Sequence, residues 1–374
     1  MRRSVSTSTV AGAVASVVLA TGAFASTPST TEPLNPFSGN LLGHFLGQPP
    51  LHENEDTPGI RKLAWFCPRP NERVRVDLAP GIYTPRNGYW FSWMSLQGYS
   101  APGAFRNLER VGFTEPTLIE DRITSLKGYV ASTPEFTAVS FSGSADVKDW
   151  LNDLTFSQVE DARWGVPGRI HKGFTDALER EWPNIALEIA RQSQQSDSQG
   201  RAPKPVYVTG HSLGGAMAIL TAARLQVMGI PVAGLYTYAA PRVGDETFVS
   251  FLEETLEGRI WRFNINEDII PRLAPVADAA DDFARLLPER LGQSLAEKFR
   301  NARYSHAGGL FRFDAKGALS GPFSENPLDE RSYWQNIYDR SQGKDLFSKI
   351  IVNLRAALDH IPAASFCSFE RPTP

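Results

Sequence analysis

From Leu63 onward the apolar positions change period along the chain, and each change marks an element. "EFTAVSFSG", Glu135–Gly143, is short, rich in β-formers and ends on glycine, which predicts a strand. In "GFTDALEREWPNIALEIARQ", Phe174, Leu178, Trp182, Ile185 and Ile189 fall three or four residues apart, the spacing of one helical face. Polar "QSQQSDSQGRAPKP" then breaks the chain before a second predicted strand at Val206–Thr209. "AMAILTAARLQVMG" predicts a helix closing on Gly229, and "PVAGLYTYAAP" and "RIWRFNIN" predict two further strands. Strand and helix in alternation imply an α/β fold, a mainly parallel sheet with helices on both faces. The segment 277–303, "ADAADDFARLLPERLGQSLAEKFRNAR", predicts a helical surface insertion.

The N-terminal pattern is of another kind. Arg2-Arg3 precede the small, mostly apolar run Thr9–Gly22, which leads into Ala23-Phe24-Ala25. This order of basic, apolar and A-x-A segments predicts a signal peptide over residues 1–25, with Ser26 opening the mature chain. The apolar run is too short to serve comfortably as a membrane anchor. Ser4-Val5-Ser6 after the arginine pair weakens a twin-arginine reading. Residues 26–62, rich in Pro, Ser, Thr and Asn, read as an arm or linker without a core of its own, and His44 and His52 within it read as surface residues. Residues 63–374 form the globular part.

Composition narrows the function classes. The chain has 374 residues, 42% hydrophobic and 11% aromatic, enough for a large core. Its net charge of -3 becomes -5 once residues 1–25 and their two arginines are gone, so a nucleic-acid partner is not expected. Its two cysteines, Cys67 and Cys367, fit an oxidising compartment. They read as one bridge tying the start of the domain to its end, or else as two buried thiols.

Chemistry concentrates at "VYVTGHSLGGAMAIL". Gly210-His211-Ser212-Leu213-Gly214 is G-x-S-x-G after a predicted strand and before a predicted helix, the context of a nucleophile elbow. The glycines let strand and helix pass closely, and the Leu213 amide at the helix start points to where an oxyanion would form. A nucleophilic serine needs a base and an orienting acid, in the chain order Ser, Asp or Glu, His. Asp268, in "RFNINEDIIPRLAP" just past a strand end, is the leading acid. Asp245 competes but sits at a helix start, where an acid has a capping role. His306 and His360 are the histidines that follow Asp268, and both stay open as the base. Scattered histidines without ligand spacing imply no metal, and no organic cofactor is expected.

Five segments in order resemble the class 3 lipase family, the group containing the secreted fungal triacylglycerol lipases. They are "VSFSGSADVKDWLNDL", "RIHKGFTDAL", "GHSLGGA", "TYAAPRVGDETF" and "NEDIIPRLAP", spread over roughly residues 136–275. The resemblance implies an α/β-hydrolase fold, with Ser212 as nucleophile, Asp268 as orienting acid, and Ser144 and Leu213 as oxyanion-hole donors. His171 and His211 fall at structural positions of the family, and 145–153 resembles a lid, though an ordinary surface helix is the competing reading. Ser142 stands where the family carries Arg, which puts a supporting salt bridge in doubt. "YSHAGGL" resembles a non-catalytic family element, whereas Asp359-His360 resembles the family's D-H step, so His360 is preferred to His306. A fungal-type disulfide beyond the catalytic histidine would match Cys67 with Cys367.

The expected function is that of a secreted or periplasmic serine lipase or esterase acting on lipid esters, triacylglycerol or phospholipid, at a lipid–water interface. Two alternatives stand beside it: a carboxylesterase for soluble or cell-wall acyl esters, and a non-catalytic relative that binds an acyl ligand or a partner. The aromatic stretch "GYWFSWMSLQGY" reads either as plain core or as the lining of an acyl groove.

Overall fold

In the computed structural model the apolar runs become the interior of one large sheet. The structure describes residues 70–124, 126–143, 156–193, 203–286, 289–324, 326–342, 360, 366, 368 and 369. The large sheet contains β1 (Thr114–Asp121), β2 (Leu126–Ser132), β3 (Thr137–Phe141), β4 (Val206–His211), β5 (Val232–Tyr238), β6 (Ile260–Ile265), β7 (Gly309–Phe313) and β8 (Leu319–Phe323). The strands lie side by side in sequence order. β3 to β7 are mutually parallel, while β1, β2 and β8 add antiparallel edges. A second, small sheet joins Tyr304–Ser305, Gly244–Asp245, Ile170–His171 and Gln158–Val159.

The principal helices are α1 (Pro85–Gln97), α2 (Lys172–Ser193), α3 (Leu213–Val227), α4 (Glu246–Leu256), α5 (Glu289–Ala302) and α6 (Pro327–Ser341). When parallel strands follow sequence order, right-handed crossovers put every connecting helix on the same face. Accordingly α2, α3 and α4 share one core with Val130, Val208 and Leu235 of the sheet. The opposite face carries Tyr129, Tyr207, Tyr236 and Phe263, and α1 covers it together with Phe366 and Phe369 from the C-terminal end. Strand residues alternate between the two cores, so the central strands are buried on both sides.

α1 settles the aromatic stretch. Thr84 caps the helix, its hydroxyl accepting from the Asn87 amide at 3.3 Å, and Pro85 occupies the first turn where no amide is needed. Tyr89, Trp90, Phe91, Trp93 and Met94 are buried, and Phe91 stacks on Tyr236 with ring centroids 4.3 Å apart. These side chains belong to the second core cluster. α3 begins three residues before the pattern "AMAILTAARLQVMG", and Gly229 follows its end at φ 72°, where glycine is favoured. The insertion at 277–303 is helical, but it does more than decorate the surface. Phe283, Phe299 and Ala296 bury against Trp334 and Ile337 of α6 in a third core. Among the described residues, no helix is long and apolar enough to cross a membrane.

Candidate active site

β4 ends at His211, and the chain reverses at Ser212 with φ 58° and ψ -128° before α3 begins. Few L-residues adopt that backbone, which costs roughly 1–3 kcal/mol and persists only where the surroundings impose it. Here they do. The Ser212 amide donates to Tyr238 O at 2.8 Å, and the Gly215 amide donates to Ser212 O at 2.9 Å. A Cβ on Gly210 would lie 2.1 Å from Gly214 O, and one on Gly214 would lie 2.3 Å from Phe141 O. Strand and helix pass so closely that neither position admits a side chain. The turn leaves the Leu213 amide in the first turn of α3, where helical amides have no partner within the helix and positive partial charge collects.

Opposite Ser212 stands His360, whose Nε2 lies 2.8 Å from Ser212 Oγ. Its Nδ1 lies 2.9 Å from Oδ2 and 3.1 Å from Oδ1 of Asp268. All three side chains are buried. Asp268 follows β6 directly. Its amide donates to Ile265 O at 2.9 Å, and its Oδ1 accepts the Ile270 amide at 2.9 Å, so the loop itself aims the carboxylate. Residues 148 and 92 positions apart in sequence thus form one chain of hydrogen bonds.

The competing candidates lie elsewhere. His306 donates from Nε2 to Pro271 O at 2.8 Å, bracing the loop after Asp268 without reaching Ser212. Asp245 caps α4, its Oδ1 accepting the Phe248 amide at 3.0 Å, and it pairs with Arg169 at 3.2 Å. His171 is buried and stacked on Phe174 at 4.0 Å. His211 packs against His360 with ring centroids 5.0 Å apart. Burial, and then the neighbouring His360, hold the His211 pKa well below the usual histidine value, so this ring is neutral. Ser142, at the family's Arg position, donates from its hydroxyl to Lys127 O at 3.2 Å. Ser144, the 145–153 segment, Asp359, Cys67, Cys367, His44, His52, the signal peptide and the arm lie outside the described residues.

Sequence reasoning missed Tyr99. Its Oη sits 2.8 Å from His211 Nδ1 and also bonds the Gly143 backbone. A Cβ on Gly143 would come within 2.5 Å of that hydroxyl and 2.9 Å of Ser212 Cβ. Tyr99 therefore ties the backbone leading into Ser144 to the histidine preceding Ser212. The only sequence signal was an aromatic that closes "GYWFSWMSLQGY" outside the apolar body of that run. Also unforeseen was the buried Arg242–Glu330 pair, whose members are 88 residues apart.

A serine on a strand–helix elbow above a mainly parallel sheet is the architecture of the α/β-hydrolase fold, and the protein has that fold. Residues 138–277 match the profile of the family described as Lipase (class 3). It is 34% identical over 158 residues to a secreted mono- and diacylglycerol lipase 1 of Fusarium solani, covering 41% of this chain and 44% of that protein. It is 37% identical over 145 residues to a lipase of Rhizomucor miehei, covering 37% of this chain and 38% of that one. The chain therefore spans less than half the length of these curated relatives. Among solved structures, a Rhizomucor miehei lipase–propeptide complex aligns with a TM-score of 0.50 at 21% identity, over 78% of this chain and 96% of the other, a likeness of fold.

Proposed function

We propose that the protein is a secreted serine hydrolase that cleaves carboxylic esters of lipids through Ser212, His360 and Asp268. The observation that carries this reading is the buried run of contacts from Ser212 Oγ to His360 Nε2 and from His360 Nδ1 to Asp268. A serine hydroxyl is inert until a base takes its proton. In the proposed reaction His360 Nε2 accepts that proton as Oγ attacks the ester carbonyl. Asp268 keeps the proton of the ring on Nδ1 and stabilises the imidazolium that forms. The Leu213 amide donates to the developing oxyanion, and Ser144 is the second donor by family resemblance. His360 then protonates the departing alcohol, and water repeats the sequence on the acyl-enzyme. The chemistry closes on these side chains and uses no metal or organic cofactor.

Acylglycerols are the proposed substrates, in keeping with the names of the fungal relatives, and phospholipids are the competing lipid class. Export rests on the N-terminal pattern of residues 1–25 and on the word "secreted" in a relative's name, which favours the outside of the cell over the periplasm. A Cys67–Cys367 bridge belongs to the same proposal.

The test is hydrolysis of a short p-nitrophenyl ester, and of emulsified mono-, di- and triacylglycerol beside phosphatidylcholine. Ser212→Ala and His360→Ala are expected to lose about 1000-fold or more in kcat/KM, while His306→Ala keeps its rate within a few-fold. An inactive wild type that also resists a fluorophosphonate would instead favour a non-catalytic acyl-binding relative. Activity on soluble esters alone would favour the carboxylesterase.

A further inference from the structure

Asp268 is aimed by two contacts inside its own loop, from its amide to Ile265 O and from the Ile270 amide to its Oδ1. Such contacts move with the loop. They fix the carboxylate within it, but not the loop against His360. The backbone at both ends is one that few L-residues adopt, with Asn266 at φ 37° and Ala274 at φ 54°, and it persists only where neighbours impose it. Two of those neighbours lie beside β6. The Asn266 amide donates to Phe313 O of β7 at 2.7 Å, and His306 donates to Pro271 O.

The rest come from α6. Glu330, Tyr333, Ile337 and Arg340 recur at three- and four-residue intervals, which puts them on one face of the helix. Tyr333 and Ile337 share the third core with Ala274 and Val276, and Ile269 packs against it, so the apolar part of the loop docks on that face. The polar contacts fall on both sides of Asp268. Before it, the Tyr333 hydroxyl donates to Glu267 O at 3.0 Å, and Arg340 Nη1 donates to the Glu267 carboxylate at 2.9 and 3.1 Å. After it, the Arg272 guanidinium lies over the Tyr333 ring, 4.1 Å from the centroid, a cation–π contact. One buried side chain thus holds residues 267 and 272, with Asp268 between them. Burial pushes the Tyr333 pKa up, Arg272 opposes the shift, and the charges of Asp268 and Glu267 add to it, so the phenol keeps its proton and donates.

We propose that Tyr333 is a positioning residue for the ester cleavage proposed above, on which this reading rests: from α6 it sets the loop so that the Asp268 carboxylate meets His360 Nδ1. Tyr333 acts through Asp268 and not on the reacting atoms. The 2.9 Å contact between Asp268 and His360 leaves little room for displacement. A misplacement of about 1 Å at a reacting centre can cost about 100-fold in rate. Arg340 assists by holding the Glu267 side chain from the same helix face.

The experiment compares ester kinetics, fluorophosphonate labelling of Ser212 and thermal unfolding in the full chain and in Tyr333→Phe, Arg340→Gln and Arg340→Lys. Tyr333→Phe keeps the ring over Arg272 and in the third core, and loses only the hydroxyl. It is expected to lower kcat about 10-fold, with KM changed by less than about 2-fold and Tm by less than about 3 °C. The labelling rate should fall in parallel, because it needs the same activated serine. Arg340→Gln is expected to act in the same direction. Arg340→Lys should recover most of that loss, since lysine keeps a charge opposite Glu267. A kcat within about 2-fold of wild type in folded Tyr333→Phe overturns the positioning role and leaves the proposed function intact. So does a loss that appears in KM alone. A wild type that neither cleaves esters nor takes the label overturns the proposed function, and the positioning role with it.

Discussion

Ser212 occupies a backbone conformation that glycine would adopt more cheaply, and the side chain kept there places its Oγ 2.8 Å from His360 Nε2. Its neighbours show the complementary logic, since Gly210 and Gly214 have no room for even a methyl group. His171 carries a prediction at this scale. It is buried beside Phe174, and its Nδ1 accepts the Phe174 amide at 3.4 Å, which only a neutral ring can do. Burial lowers its pKa to about 4 from an ordinary value of 6.5. Between those two values the unfolded chain takes up a proton that the folded chain refuses. Stability is therefore full above about pH 6.5 and falls progressively toward pH 4, by about 3 kcal/mol for this residue alone. Denaturant unfolding of wild type and His171→Asn across that window checks it. The variant is expected to lose less stability on acidification, and equal slopes would refute the assignment.

At the scale of elements, sequence periodicity found β3 to β6, α2, α3 and the helical segment 277–303, but neither the outer strands nor α6 and what holds it in place. Glu330, in the first turn of α6, receives Arg242 from the segment after β5, the Val276 amide, and Trp334 Nε1 at 3.3 Å. Arg242 also donates to Ala274 O at 3.1 Å. Removing one member of a buried pair strands the other charge, which costs roughly 3–5 kcal/mol. Glu330→Gln is expected to lose about that much in denaturant unfolding. The double variant Arg242→Met with Glu330→Leu should recover most of it, because neither charge is then left buried alone. A double variant as unstable as the single one would mean the pair acts through shape rather than charge.

For the molecule as a whole, the candidate site depends on the two ends of the domain meeting. α1 comes from the N-terminal side, while Phe366 and Phe369 come from beyond His360, and both pack on the same sheet face. Phe369 lies against Phe313 at 4.8 Å and Phe263 at 5.3 Å, and Phe366 lies against Tyr89 at 5.1 Å. These rings are the described anchor of the chain that carries His360. Phe369→Ala is expected to cost about 3–5 kcal/mol in stability and to lower kcat more than it raises KM, since it would displace His360, the proposed base. Thermal unfolding and ester kinetics on the same preparation separate the two effects. Unchanged kcat in a destabilised variant would show that His360 is positioned locally.

The sequence by itself determined the parallel α/β sheet and the elbow, because alternating periods and close-packed glycines are local patterns. It also brought Asp268 forward, since the acid sits one short loop beyond an apolar strand. The same local reasoning left His306 and His360 both open, and only the tertiary structure shows which ring stands beside Ser212: His306 is turned to Pro271 O and His360 to the serine. Local patterns also misjudged 277–303 as surface, because its apolar face is completed by Trp334, more than thirty residues later. Tyr99 and the Arg242–Glu330 pair were likewise settled in three dimensions. Each depends on side chains far apart in the chain, whose meeting is decided by strand order and crossover handedness rather than by spacing.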